Sequence, residues 1–193
     1  MTKYLSCAET AKLIRVQLKA KFPGIKFSVK SNVYSGGASI DIGWIDGPTD
    51  KMVDEVVQPF AGGGFDGMID MAYSKTAFLL PDGSATFAQT SGTAGSGGTV
   101  EADKAFMPVA GAVRVHFGAN YVFTRRDNSR GFLERALVSY RAKWGDLANG
   151  IEIVDGFQPG TANAKLSLPF GEDRWWYDAL NKRVGADLIA KAA

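Results

Sequence analysis

Cysteine and histidine are almost absent from this sequence, with Cys7 and His116 the single representatives. One cysteine excludes an intramolecular disulfide and fits a reducing compartment. One histidine leaves a zinc-type site two or three ligands short, so no metal centre of that kind is expected. Long apolar runs are missing too, and nothing approaches the roughly 20 residues of a membrane-spanning helix. The opening Met1–Glu9 lacks the apolar stretch of a secretory signal. Gly62-Gly63-Gly64 lacks the Lys-Ser/Thr ending of a phosphate loop, and no dinucleotide fingerprint follows a strand. The expectation is a soluble cytoplasmic protein that makes no membrane contact and carries no cofactor.

What remains is ordinary globular material, 46% hydrophobic and 22% charged over 193 residues. A chain of this length buries about 70% of its unfolded surface, enough for a core without staples. The net charge of +2 hides a segregation. Residues 1–30 carry seven basic side chains against Glu9, residues 41–82 eight acids against Lys51 and Lys75, and residues 104–144 eight basic residues against Asp127 and Glu134. Either these segments neutralise one another across the fold, or a basic face meets nucleic acid or an acidic protein surface.

Ser6 with Glu9 three residues on is a capping box. Cys7, Ala11, Ile14, Leu18 and Phe22 follow at helical spacing, and Pro23-Gly24 ends the helix. Lys12, Arg15 and Lys19 form a basic stripe on another face. Ile25, Phe27 and Val29, then Ala38, Ile40, Ile42 and Trp44, alternate with polar residues around Ser35-Gly36-Gly37, the pattern of a hairpin with one buried face. That register points Trp44 inward. Thr49 opens a second helix with Met52, Val53, Val56, Val57 and Phe60 facing the core. Residues 61–68 read as too glycine-rich for regular structure. Thr76–Leu80 and Ala85–Gln89 read as a hairpin about residues 81–84. Residues 91–99 contain only Ser, Gly, Thr and Ala, a coil composition. Val113–Phe117 and Tyr121–Thr124 read as strands, the second returning antiparallel after Gly118-Ala119-Asn120. Ser129 caps a helix with Leu133, Leu137, Tyr140 and Trp144 on one face. Short strands at 151–154 and 165–168 and a final helix from about Arg174 complete the reading.

Tyr34-Ser35-Gly36-Gly37-Ala38-Ser39-Ile40, Trp44-Ile45-Asp46-Gly47-Pro48-Thr49 and Gly64-Phe65-Asp66-Gly67-Met68-Ile69-Asp70 together resemble the large polyvalent protein-associated domains. Arg125, Arg126 and Ser129 before the Leu133 helix fit the later part of that pattern. The likeness is specific over residues 4–73, weaker over 110–145, and absent beyond 146. It implies a protein of phages or conjugative elements, delivered or expressed early in a new host, with relatives beside anti-restriction and other counter-defence functions.

Three constellations bear on chemistry. Asp66 and Asp70, with Asp46 upstream, are carboxylates beside a glycine-rich loop, a setting for magnesium-dependent phosphoryl transfer. The alternative is that Asp46 and Asp66 cap turns. Arg125, Arg126 and Arg130 lie at a strand end and the following helix start, where phosphate is clamped well. Tyr121 and Phe123 then either stack on bases or sit in the core beneath surface arginines. Trp175 and Trp176 point about 100° apart on a helix, so one of them lines an interface. Cys7 falls on a buried helix face, where a thiol is inert, although a helix start lowers a thiol's pKa.

These readings converge on an α+β fold, with a mixed, mainly antiparallel sheet, helices packed on one face and an opening α-β-β-α unit. Residues 1–145 form one domain with a flexible excursion near 91–103, and 146–193 an extension packed on it. The leading expectation, implied by the resemblance, is a non-catalytic mobile-element accessory protein. It would counter a host defence system, of anti-restriction or anti-CRISPR type, by binding a host defence protein or nucleoprotein complex. Its partner-binding residues would be Arg125, Arg126, Arg130, Lys12, Arg15, Lys19 and Trp175. The alternative is an accessory that binds DNA or RNA as the element arrives or replicates. A metal-dependent enzyme using Asp66 and Asp70 is third.

Overall fold

A computed structural model of the chain describes residues 2–66, 70–87, 107–144, 152–155 and 164–167. In chain order the elements are β1 (Lys3–Leu5), α1 (Cys7–Lys21), β2 (Ser28–Tyr34), β3 (Gly37–Ile45), α2 (Asp50–Val57) and a 3-10 turn (Gln58–Phe60). There follow β4 (Gly63–Asp66), β5 (Met71–Ser74), β6 (Ala77–Leu79), β7 (Ala85–Phe87), β8 (Val113–Phe117), β9 (Tyr121–Asp127), α3 (Arg130–Trp144), β10 (Glu152–Asp155) and β11 (Ala164–Ser167). The fold is α+β, with mixed, mainly antiparallel sheets and helices packed against a sheet face. It divides into two compact units, Met1–Gly43 with Lys51–Arg125, and Trp44–Asp50 with Arg126–Ala193. The expected final helix, Trp175 and the Ser/Gly/Thr/Ala segment lie outside the described residues, as do the side chains of Tyr140 and Trp144.

In the first unit, α1 starts as its sequence dictates. The Ser6 hydroxyl accepts the Glu9 N–H (3.2 Å), and the Glu9 carboxylate accepts from the Ser6 N–H (2.8 Å) and hydroxyl (2.7 Å). These bonds stabilise the charged form and hold the Glu9 carboxyl below its usual range. Cys7, Thr10, Ala11, Ile14 and Leu18 form the buried face. β2 and β3 pair antiparallel from Ser28↔Gly43 to Tyr34↔Gly37, and Gly36 takes the left-handed conformation in the turn (φ 90°). Ala38, Ile40 and Ile42 are buried, the face that the alternation assigns.

A second sheet in this unit has the order β1-β8-β6-β7. β1 was not legible in the sequence and runs parallel to β8, Lys3↔Val115 to Leu5↔Phe117. β6 pairs antiparallel with both β7 and β8, as the hairpin expectation required of β6 and β7. Phe60, Phe78, Val115 and Phe117 fill the core, with the Phe60 and Phe117 rings 5.1 Å apart.

Two expectations are corrected here. The glycine-rich stretch is structured over Gly63–Asp66, where β4 pairs with β5, and residues 67–68 lie outside the described ones. The Gly62 N–H donates to Ala119 O (2.7 Å), its carbonyl accepts from Lys75 N–H (2.7 Å), and the Gly63 N–H donates to Asn120 O (3.0 Å). A Cβ on Gly62 would overlap the Phe117 carbonyl oxygen, and one on Gly63 would lie 2.7 Å from the Asn120 oxygen. Glycine serves close backbone approach here, not coil. Nor does β9 return against β8. It joins the β2-β3-β9 sheet, because the bend at 118–120 changes sheets: Asn120 N–H bonds Ala38 O (2.8 Å) and its side-chain oxygen accepts from Ala38 N–H (2.8 Å).

In the second unit, Trp44 is 3% exposed and its indole N–H donates to Pro48 O (3.0 Å). Asp46 sits at φ 58°, a left-handed conformation that Asp tolerates better than most. Its carboxylate accepts from the Ser129 N–H (2.8 Å) and hydroxyl (2.7 Å), while Ser129 Oγ accepts from Phe132 N–H (3.1 Å) and so caps α3. Asp46 therefore acts as a cap, and it caps a segment far along the chain. Phe132, Leu133, Ala136 and Leu137 form the buried stripe of α3. β10 and β11 pair antiparallel and pack against α3.

Candidate functional site

Period-two alternation sorts the residues of the sheet β2-β3-β9 between two faces, one of which carries Val29, Ala38, Ile40, Ile42 and Val122 buried. β2 beyond Val29 is exposed on both sides, Val33 at 79%. On β9, Val122 is 5% exposed and the Thr124 hydroxyl reaches Asp54 of α2 (2.8 Å). Tyr121, Phe123 and Arg125 therefore point the other way, and all three are exposed. On β3 the residues between Ala38, Ile40 and Ile42 are Gly37, Ser39, Asp41 and Gly43. Their register partners on β2 are Tyr34, Asn32, Lys30 and Ser28, all exposed.

Aromatic surface dominates this open face. Tyr121 (39% exposed) and Phe123 (54%) stack side by side, their ring centres 6.0 Å apart and their planes 20° from parallel. The expectation that they sit in the core is overturned. Alternation groups them correctly, but their own face is left uncovered. Tyr34, 50% exposed, lays its ring over Gly37, where an added Cβ would lie 3.1 Å from the ring. Lys30 and Arg125 lie on the same side of the sheet, on the two outer strands. The Asn32 amide donates to the Asp41 carboxylate in the middle of the face. Sequence reasoning missed Tyr34, Lys30, Asn32 and Asp41 as site residues, although the polar halves of the two alternating runs carried the signal.

The arginines are not equivalent. Arg125 and Arg130 are exposed, the latter at the start of α3. In the second unit Arg126 is half-buried, its guanidinium 5.0 Å over the Phe132 ring, with Nε and Nη2 unpaired. Burial pulls its pKa down against the opposing pull of Asp50 and Asp46. Lys12, Arg15 and Lys19 are exposed on α1, which packs against β2 on the covered side. Arg15 Nη2 donates to Val29 O (2.6 Å), so this stripe does not join the aromatics. Trp175 lies outside the described residues.

Of the acidic constellation, the Asp66 side chain lies outside the described residues. Asp70 occupies an exposed left-handed turn (φ 51°) between β4 and β5. Among the described residues no group of three or more His, Cys, Asp or Glu side chains is placed to hold a metal ion. His116 is half-buried, with Nδ1 3.2 Å from Lys75 O. Burial pushes the Cys7 thiol up, and its Sγ lies 3.5 Å from Ser39 O. Among the described residues no helix is long and apolar enough to cross a membrane.

The family model described as large polyvalent protein associated domain 29 matches residues 5–129. The chain belongs to that family. It is accordingly a domain associated with large phage-related polyvalent proteins. No curated protein and no solved structure matches it. The polyvalent-protein domain contains the whole open face, from Lys30 to Arg125, and its match ends at Ser129, the cap of α3.

Proposed function

We propose that this polyvalent-protein domain is a non-catalytic accessory of a phage or other mobile element that binds single-stranded nucleic acid on the open face of β2-β3-β9. The observation that carries the reading is the exposed, stacked Tyr121–Phe123 pair beside Arg125. Two adjacent aromatic rings in water are costly unless something covers them. Unpaired bases suit them because every base offers a π face, worth about 1–3 kcal/mol per stacked base. Lys30 and Arg125 at the two sides of the face supply charge for the phosphates that such a strand carries. Sheltering an incoming single strand is compatible with a counter-defence role, which on this reading follows from nucleic-acid binding.

The test is fluorescence anisotropy with a labelled single-stranded dodecamer at low salt. Tyr121→Ala/Phe123→Ala should weaken binding at least about thirtyfold, the equivalent of about 2 kcal/mol for two lost stacks. The salt slope should be shallow, about −1.4 for two phosphates on a single strand. Absence of binding by the wild-type domain overturns the proposal. Capture of a host protein that depends on the same two aromatics would transfer the face to the protein-binding reading instead.

A further inference from the structure

We infer that the Asn32–Asp41 pair reads a base edge on this face and selects guanine. The inference rests on the reading of the face as a single-strand platform and adds a specificity to it. The central strand is the low ground of the sheet. Gly37 and Gly43 carry no side chain and Ser39 is small and buried, whereas the flanking strands raise Lys30, Asn32 and Tyr34 on one side and Tyr121, Phe123 and Arg125 on the other. With strands about 4.8 Å apart, the two raised rows stand about 10 Å from each other. Of the floor between them, Gly37 lies under the Tyr34 ring and Ser39 is buried, so the open stretch is at Gly43, two residues along the strand from Asp41. Around Gly43 the floor is bare: an added Cβ would have as its nearest neighbour the Arg125 carbonyl oxygen, 3.9 Å away.

Asp41 is half-buried in this floor, opposite Lys30. Its Oδ2 accepts from Asn32 Nδ2, which fixes the carboxylate and leaves lone pairs on both oxygens. The second hydrogen of Asn32 Nδ2 remains beside them as a donor. The pair thus offers a donor followed by two acceptors, the order in which cytosine presents its pairing edge. Guanine shows the complement: O6 accepts, and N1–H and N2–H donate. Thymine and cytosine would set carbonyl oxygens against the carboxylate, and adenine would meet it with an unprotonated ring nitrogen. The aromatics supply affinity without regard to base, so discrimination falls to Asp41.

The experiment compares labelled thymine dodecamers carrying one central guanine, inosine, adenine or cytosine, by anisotropy, with the thymine dodecamer as reference. Guanine should bind about tenfold tighter than thymine, within the range of a good bidentate contact. Inosine, which lacks the N2 amine, should lose part of that gain, a test that leaves the protein untouched. Asp41→Asn should abolish the preference for guanine over thymine. A guanine probe no tighter than thymine, or a preference that survives Asp41→Asn, overturns the inference and leaves the platform standing. Failure to bind the thymine dodecamer, or binding unaffected by Tyr121→Ala/Phe123→Ala, overturns the platform itself.

Discussion

Replacing Gly62 by alanine adds one methyl group at a place with no room for it. The new Cβ would overlap the Phe117 carbonyl oxygen and approach the Ala119 oxygen to 3.3 Å, and both neighbours are backbone. Relief requires the strand to back away, which breaks or stretches three bonds: Gly62 N–H to Ala119 O, Gly63 N–H to Asn120 O, and Lys75 N–H to Gly62 O. Each such bond contributes about 0.5–1.5 kcal/mol net, and overpacking costs about 1–3 kcal/mol. A total of about 2.5–7.5 kcal/mol follows, or a fall of about 5–30 °C in Tm at this chain length. Gly43→Ala is the control. Its Cβ meets only the Arg125 oxygen at 3.9 Å, so the alanine should leave stability equal or raise it by about 0.5–1 kcal/mol through reduced unfolded-state entropy. Thermal and urea unfolding followed by circular dichroism measure both. If Gly62→Ala melts within about 2 °C of wild type, the close approach of the two backbone segments is refuted.

Trp44→Ala should cost about 3–5 kcal/mol, and Trp44→Phe about 1 kcal/mol for the lost bond to Pro48, both read by urea denaturation. Arg126→Met should be neutral or stabilising, because it keeps the contact with Phe132 while removing two unpaired buried donors, whereas Arg126→Ala should destabilise by about 1–2 kcal/mol. The reverse order of their melting temperatures would refute this. Ser6→Ala should cost about 1 kcal/mol at neutral pH. The Glu9 carboxyl is depressed in the fold mainly by the Ser6 backbone N–H, which the substitution keeps, and the Glu9 N–H to Ser6 Oγ bond does not titrate. Most of the deficit should therefore persist at low pH, and only the share carried by the Ser6 hydroxyl on Glu9 should fade as pH falls through the folded value. Burial holds the Lys75 ammonium below the ordinary lysine value, so the unfolded chain binds the extra proton. Stability should therefore rise as pH climbs from the folded value toward about 10.4, a rise that Lys75→Met removes.

Local rules were enough to read α1, whose cap is written in Ser6 and Glu9, and the β2–β3 register, which the alternation through Trp44 specifies. What escaped depends on partners distant in the chain. A three-residue β1 carries no periodicity, and its strand character comes from β8. Gly62 and Gly63 resemble coil until the 118–120 bend is set against them. Residues 118–120 have the composition of a hairpin turn, and only pairing with Ala38 shows that they switch sheets. The candidate site was half legible for the same reason. Alternation places Tyr121 and Phe123 on one side of a strand, but which side receives helices is decided by α2.

The pairing of Lys3–Leu5 with Val115–Phe117 sets a timetable for biosynthesis. A ribosome adding about 5–20 residues per second needs on the order of 10 s to pass from one strand to the other. Throughout that interval β1 has no partner, and β3 likewise waits for β9 to complete its sheet. Contacts so remote in sequence are slow to close even after synthesis. The nascent chain consequently exposes Leu5 and the edge of β3 to chaperones and proteases until Asp127 has cleared the exit tunnel. The yield of folded protein depends on how that interval is survived.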